Sequence, residues 1–459
     1  MINLKKYIVA TAFAAALATS GLSAQNTASG YFVDDYSYRF QLNPAFGNSK
    51  GFVSMPAIGN MNVAMNGNLH LKNVLFNVNG KTTTFLNPGV SVKEVMDGLS
   101  ERNRIGSSVK VNILTVGFKA WGGYNTLNVN ARADIGMKIP RSLFSFLKEG
   151  VSNSAYDISD FGAFANAYGE IALGHSRDIT PEIRVGGALK FLVGGGNINA
   201  RLKNSSLILG ENDWEIHSNA EIEASVKGLT YETDKNSDTG HEYVNGANID
   251  GAGINGFGMA VDLGAVYKPA ALNDFSFSLA ILDLGYIGWK NNMVASTNGD
   301  KHFNTDKYVF SPDDDAPNSF DHETDRIRDD ISALYELENM GDKGSRSAMI
   351  GATMNVGVEY TLPVYRKLSF GLLNTTRIQS GYSWTDFRIS GNIAPVKCFD
   401  ASVNMGVGTF GCSFGWLANI HMTGLNLFVG MDHTLGKVTK QFVPLSSNAS
   451  VNFGLNFMF

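Results

Sequence analysis

The chain has 459 residues, with 37 Lys and Arg against 42 Asp and Glu and a formal net charge of −5, which leaves no electrostatic footprint for nucleic acid. Charged residues make up only 17%, aromatics reach 11% and glycines number 50. No stretch approaches the roughly 20 apolar residues that a membrane helix requires, so any crossing of a bilayer has to be made by strands.

In chain order, the first element is MINLKKYIVATAFAAALATSGLSAQ. Lys5 and Lys6 precede an apolar run from Tyr7 to Ala18, and small residues follow up to Ala24. These are the three parts of a secretory signal peptide, residues 1–24, with cleavage expected after Ala24. No Cys stands before that site, so no lipoprotein anchor is expected. Residues 25–50 contain YFVDDYSYRFQLNPAFG, which is aromatic and rich in turn formers. They precede the first clear strand and are expected to form a hatch-like segment that plugs a lumen from the periplasmic side.

From residue 51 to 459 the chain alternates. In LNVNARADIGMKI, Leu127, Val129, Ala131, Ala133 and Ile135 share one face of a strand, and Asn128, Asn130, Arg132, Asp134 and Lys138 share the other. The same period of two runs through FGMAVDLGAVYK, IGATMNVGVEY, FDASVNMGV, SFGWLANIH and LNLFVGMDH. It ends in VNFGLNFMF, where Val451, Phe453, Leu455, Phe457 and Phe459 make one apolar comb. Such an edge in water invites aggregation. Each run is about ten residues, and ten residues at ~3.3 Å and ~40° tilt rise ~25 Å, the apolar height of an outer-membrane barrel. Unpaired backbone groups in hydrocarbon cost several kcal/mol each, so the sheet has to close. The expected fold is an all-β antiparallel transmembrane barrel.

Strands are expected at about 51–79, 109–119, 124–139, 165–177, 182–194, 197–209, 213–225, 256–268, 274–290, 349–361, 368–377, 382–391, 398–408, 411–421, 425–433 and 450–459. With the C-terminus in the periplasm, the long connections at 80–108, 140–164, 226–255, 291–348 and 434–449 all fall outside. The other connections have eight residues or fewer, as such barrels require. If 197–209 and 213–225 project as a hairpin, fourteen strands remain; otherwise there are sixteen. Short helices are expected at 92–100, at 141–150 and within TDRIRDDISALYELENM, the last one capping the barrel mouth. Cys398 and Cys412 fall opposite His421 and Val407 on one hairpin, too far apart to join, so two free thiols are expected.

Motif matches carry little. GAGING at 251–256 fits a dinucleotide fingerprint letter for letter, but a strand follows it where that fingerprint needs a helix. GCSFG at 411–415 fits a hydrolase elbow, yet Ser413 falls early in a barrel strand rather than on a strand–turn–helix corner. DDDAPNSFDHETD at 313–325 lacks the spacing of a calcium loop and reads as a solvated outer loop. No cofactor-binding, metal-binding or catalytic cluster stands out. The inward charges are Arg132, Asp134, Lys138, Glu170, Arg184, Lys190, Asp262, Lys268, Glu359 and Asp400. They read either as a lumen of satisfied ion pairs or as a polar conduit that tunes selectivity.

Several stretches, FQLNPAFGNSKGFVSMPAIGNMNVAMNG, MKIPRSLFSFLKEG, GFGMAVDLGAVYKP and FSFSLAILDLGYIGWK, resemble an uncharacterised family of Bacteroidota outer-membrane barrels. LNPA at 42–45 also resembles the FadL-type transporters and their relatives in the type IX secretion system, which implies fourteen strands with an N-terminal hatch. The closing FGLNFMF resembles the signal read by the barrel-assembly machinery, with Phe457 and Phe459 as its aromatic residues. The reading is therefore a protein of the Gram-negative outer membrane, in contact with lipid, with lipopolysaccharide and, during insertion, with that machinery. Its expected function is passive passage of a small solute, a hydrophobic one included. The alternative is a non-conducting partner in secretion or surface assembly.

Overall fold

The computed structural model describes residues 27–149, 155–209, 213–235, 240–251, 253–297, 299–304, 336–379, 381–433 and 448–459. The expected signal peptide, the acidic run 313–325 and most of the third expected helix lie outside them. The end of that helical reading, Glu338–Met340, lies instead in the strand Glu338–Asp342, because that strand pairs with Asn292–Ser296 in the extended wall.

Fourteen antiparallel strands close into a barrel. They are β1 (Phe52–Ser54 and Met61–Gly67), β2 (Arg102–Ala120), β3 (Gly123–Pro140), β4 (Gly162–Asp178), β5 (Ile183–Leu202), β6 (Ala220–Val226 and Gly256–Tyr267) and β7 (Phe275–Trp289). Then follow β8 (Ala352–Thr361), β9 (Leu368–Ile378), β10 (Trp384–Val396), β11 (Phe399–Gly408), β12 (Gly411–Met422), β13 (Leu425–Met431) and β14 (Ala449–Met458). Closure is made by β14 on β1, with Met61 opposite Phe453 and Phe52 opposite Met458.

The choice between fourteen and sixteen is settled at β5 and β6. The three glycines 194–196 do not end a strand; β5 runs through them to Leu202. Ala220–Val226 pairs with its outer part, Ala224 opposite Ile198, and Gly256–Tyr267 with its inner part, Gly256 opposite Gly194. One wall strand is thus interrupted by an excursion, the hairpin Leu229–Lys235 with Glu242–Ile249. Residues 206–209 and 213–218 leave the wall for a separate four-stranded sheet.

The connections segregate as the strand lengths require. Turns at 121–122, 179–182, 268–274, 362–367, 397–398 and 423–424 lie at the end that holds Phe459, and the long connections lie at the other. At the long-loop end two helices, α1 (Val92–Asp97) and α2 (Arg141–Glu149), pack together through Val95, Met96, Leu99 and Phe144. Ser91 caps α1 by accepting from the Glu94 amide, the first half of a capping box. The expected strand pair there continues upward: Asn292–Ser296 and Arg346–Met349 extend β7 and β8 beyond the expected ends.

Along the wall the outward positions are large and apolar and stand open: Leu173, Phe257, Leu263, Leu279, Phe370, Ile389, Met405, Phe414 and Phe457. The alternate positions are buried and polar, among them Asn112, Asn130, Asn355, Asn404, Asn419, Asn426, Asn452 and Asn456. This is the inverse of a water-soluble protein, and it is the arrangement that lipid outside and hydrogen bonding inside dictate. The alternation also slips just before β8. Ile350, expected outward, is buried with Trp289 and Ile287, where Gly351 with φ +88° resets the chain.

Candidate functional site: a charged lumen above an N-terminal segment

Residues 27–48 lie inside the ring of strands. Tyr31, Phe32, Val33, Tyr36, Tyr38, Phe40 and Leu42 form the core of an apolar cluster with the inward Leu373, Leu417 and Phe428. Polar ties fix the segment to the wall all round. The Tyr36 hydroxyl donates to Asn452, Ser37 to Asn426 and Tyr38 to Asn456. The Ala28 and Ser29 amides donate to Asp432, and Asn355 donates to the Leu42 carbonyl. The buried asparagines of alternate strand positions therefore find partners in the segment, as buried polar groups must.

Glycines in the wall make room for it. A Cβ on Gly264 would collide with Asn43, and one on Gly186 with the Pro44 carbonyl; one on Gly371 would enter the Phe32 ring. The LNPA element is thus seated on two glycines of neighbouring strands, with Asn43 donating to the carbonyls of Ala265 and Leu279.

Next to this seat stands a network of charges, buried but for a small exposed part of Arg132. Arg132 on β3 lies 3.1 Å from Glu170 on β4 and 2.9 Å from Asp283 on β7. Lys190 on β5 lies 2.6 Å from Asp283 and 2.7 Å from Asp262 on β6. Asn130 donates to Glu170, and the Asp283 amide donates to Asp262. The Arg132 guanidinium sits 5.4 Å from the Tyr168 ring centre. Two cations among three carboxylates satisfy one another where the cost of unpaired burial would be several kcal/mol per ion.

Four of the ten charges expected to line the lumen meet in this network: Arg132, Glu170, Lys190 and Asp262. Asp134 is buried close by, 3.9 Å from Arg377. The others are spread along the axis. Lys138 pairs with Asp160 towards the long-loop end, where Arg102 also reaches that carboxylate; the Lys138 hydrogen bond chiefly, and then Arg102, hold the Asp160 carboxyl below its usual range. Arg184 donates to the Ala45 carbonyl beneath the segment, and Glu359 accepts from Ser369. Lys268 is exposed one residue past β6, where Pro269 cannot continue the ladder. Asp400 lies beside His421 near the short-turn end. Phe457 and Phe459 are both exposed on the outer face.

Sequence reasoning missed Asp283, Lys110, Arg377, Arg388 and Asp432. Lys110, Arg377 and Arg388 alternate with apolar neighbours and were open to the same reading as the ten. Asp283 was not: its φ of +58° and the slipped register between Val261 and Leu263 turn it inward out of turn.

Above the network, towards the long loops, the wall and the segment enclose a chamber of about 1010 Å³, its open side included. Its lining includes Lys110, Arg132, Asp134, Asp283, Arg377 and Arg388. The Ser413 hydroxyl is buried without a hydrogen-bond partner, and β12 runs on as a strand to Met422. Both thiols are free and exposed, Cys412 opposite Val407 in register.

A model of a family of unknown function, DUF5723, matches residues 44–432. The chain belongs to this family. No curated protein matches it. Among solved structures, this DUF5723 chain is similar to a TodX monoaromatic hydrocarbon channel mutant, at 7% identity and a TM-score of 0.41, covering 92% of this chain and 94% of that one. It is also similar to the toluene transporter TodX of P. putida, at 8% identity and TM-score 0.36 over 91% and 92%. A FadL homologue of Pseudomonas aeruginosa shares 10% identity at TM-score 0.31 over 95% and 94%. Superpositions this loose leave the DUF5723 barrel to be read from its own residues.

Proposed function

We propose that the protein is an integral channel of the outer membrane that takes a small polar solute into the chamber from outside and is held shut on the periplasmic side by residues 27–48. The observation that supports this reading is the attachment of the segment: it packs on inward side chains of the wall and is tied by hydrogen bonds to several different strands. Lipid and lipopolysaccharide would cover the apolar outer face, and Phe457 with Phe459 would present the insertion signal to the assembly machinery. The chamber is lined by charges of both signs, which suits a polar solute better than a hydrocarbon, since apolar ligands need apolar walls.

Liposome swelling tests the reading. Proteoliposomes are expected to swell in small sugars and zwitterionic amino acids faster than empty vesicles, and to show no preference for aromatic hydrocarbons. Swelling equal to that of empty vesicles, with the segment loosened as well, would end it.

A second reading, a non-conducting partner in secretion or surface assembly, draws on the same density of hydrogen bonds around the segment, which suits a permanently filled lumen. It is expected to give stable protein partners on crosslinking in cells, and loss of surface cargo when the protein is absent.

A further inference from the structure

The fold brings together three residues that the sequence keeps far apart. Asp35 belongs to the N-terminal segment, Asp400 begins β11 and His421 ends β12. Their ligand atoms all lie within 4.8 Å of one another. His421 Nε2 is 3.0 Å from Asp400 Oδ2 and 3.6 Å from Asp35 Oδ2. The His421 side chain is only 7% exposed, yet its Nε2 makes no aligned hydrogen bond. A buried ring nitrogen pointed between two carboxylate oxygens, bonded to neither, is a donor set waiting for an electrophile.

We propose that Asp35, Asp400 and His421 bind one divalent transition-metal ion, Zn²⁺ in chemistry, that clips the N-terminal segment to the barrel wall at the periplasmic mouth. One imidazole and two carboxylates are donors that Zn²⁺ accepts; ligands at ~2.0–2.2 Å in a tetrahedron stand roughly 3.4 Å apart, close to the two separations from His421 Nε2. The imidazole selects against Mg²⁺ and Ca²⁺, which prefer oxygen alone. Outer contacts hold the carboxylates: Asn419 donates to Asp400 Oδ2 and to the Asp35 carbonyl, and Ser49 donates to Asp35 Oδ1. Such supports orient ligands in metal sites. Asp35 is 38% exposed at its side chain, which gives the ion a way in. Because one ligand comes from the segment and two from the wall, binding adds a crosslink that the hydrogen bonds alone do not supply.

The ion's effect on passage rests on the closed-channel reading; its binding does not. The test uses the untagged mature protein in detergent, stripped with EDTA. Zn²⁺ titrated calorimetrically is expected to bind with one equivalent at this site, and Co²⁺ to give the strong visible bands of a low-coordinate complex. Asp35→Asn, at the partly exposed ligand, and His421→Gln are expected to weaken binding at least tenfold and to abolish the bands, with heat-modifiable mobility on gels showing that the barrel still forms. His70→Gln, in an outer connection, is the control expected to bind as the parent does. Excess Mg²⁺ is expected not to compete. Absence of the bands, or equal binding by the parent and Asp35→Asn, overturns the proposal. If the ion binds as described and EDTA leaves conductance unchanged, the site stands and the ion's effect on passage is what fails.

Discussion

The Tyr38 hydroxyl donates to Asn456 Oδ1 at 2.8 Å, joining the N-terminal segment to the last strand of the barrel, 418 residues further on. Both groups are buried, Asn456 fully. Tyr38→Phe therefore removes a hydrogen bond and leaves an amide oxygen short of a partner, a loss of about 1–3 kcal/mol. The change is expected to appear as faster hydrogen exchange of amides in residues 30–42, with the wall strands unaltered. Unchanged exchange in the segment would mean that this contact does not hold it.

The charge network makes a larger prediction. Lys190 sits between Asp262 and Asp283. Lys190→Met leaves two buried carboxylates facing each other, and breaking a buried pair from one side costs about 3–5 kcal/mol. The unfolding midpoint in urea, followed by gel mobility in lipid vesicles, is expected to fall clearly. Adding Asp262→Asn to Lys190→Met is expected to restore part of it, since the double change removes one of the stranded charges. A double variant no better than the single would show that the pair is not the source of the loss.

Two native thiols report the orientation. Cys398 lies in the turn between β10 and β11, and Cys412 stands next to the turn between β11 and β12, at the opposite end. A charged maleimide that does not cross the outer membrane is expected to label Cys412 on intact cells and Cys398 only after permeabilisation. The reverse pattern would invert the topology.

Much of the wall was legible in the sequence because two independent constraints write it there. Lipid outside and a polar lumen inside force the alternation seen from Leu127 to Ile139, and the short turns fix which end is which. What escaped is what the period of two cannot express. Asp283 turns inward through a positive φ, and the reset at Gly351 buries Ile350. Gly194 to Gly196 looked like a strand boundary because glycine punctuates strands, yet the inward side there is filled by Trp289, whose ring would meet a Cβ on Gly194. The seat of the segment was hidden for a similar reason: Gly186 and Gly264 signal a close backbone approach only once their strands are seen side by side. The cluster of Asp35, Asp400 and His421 depends on ring closure, which no local pattern carries.

The most direct test of the closed-channel account is single-channel conductance in planar bilayers, comparing the parent protein with Gly264→Leu, whose side chain would push Asn43 and Pro44 off the wall. The parent is expected to be shut for most of each record, with brief openings, and the variant to conduct at least ten times as much of the time. Silence in both proteins, with both barrels folded, or a continuous porin-like current from the parent, would contradict it.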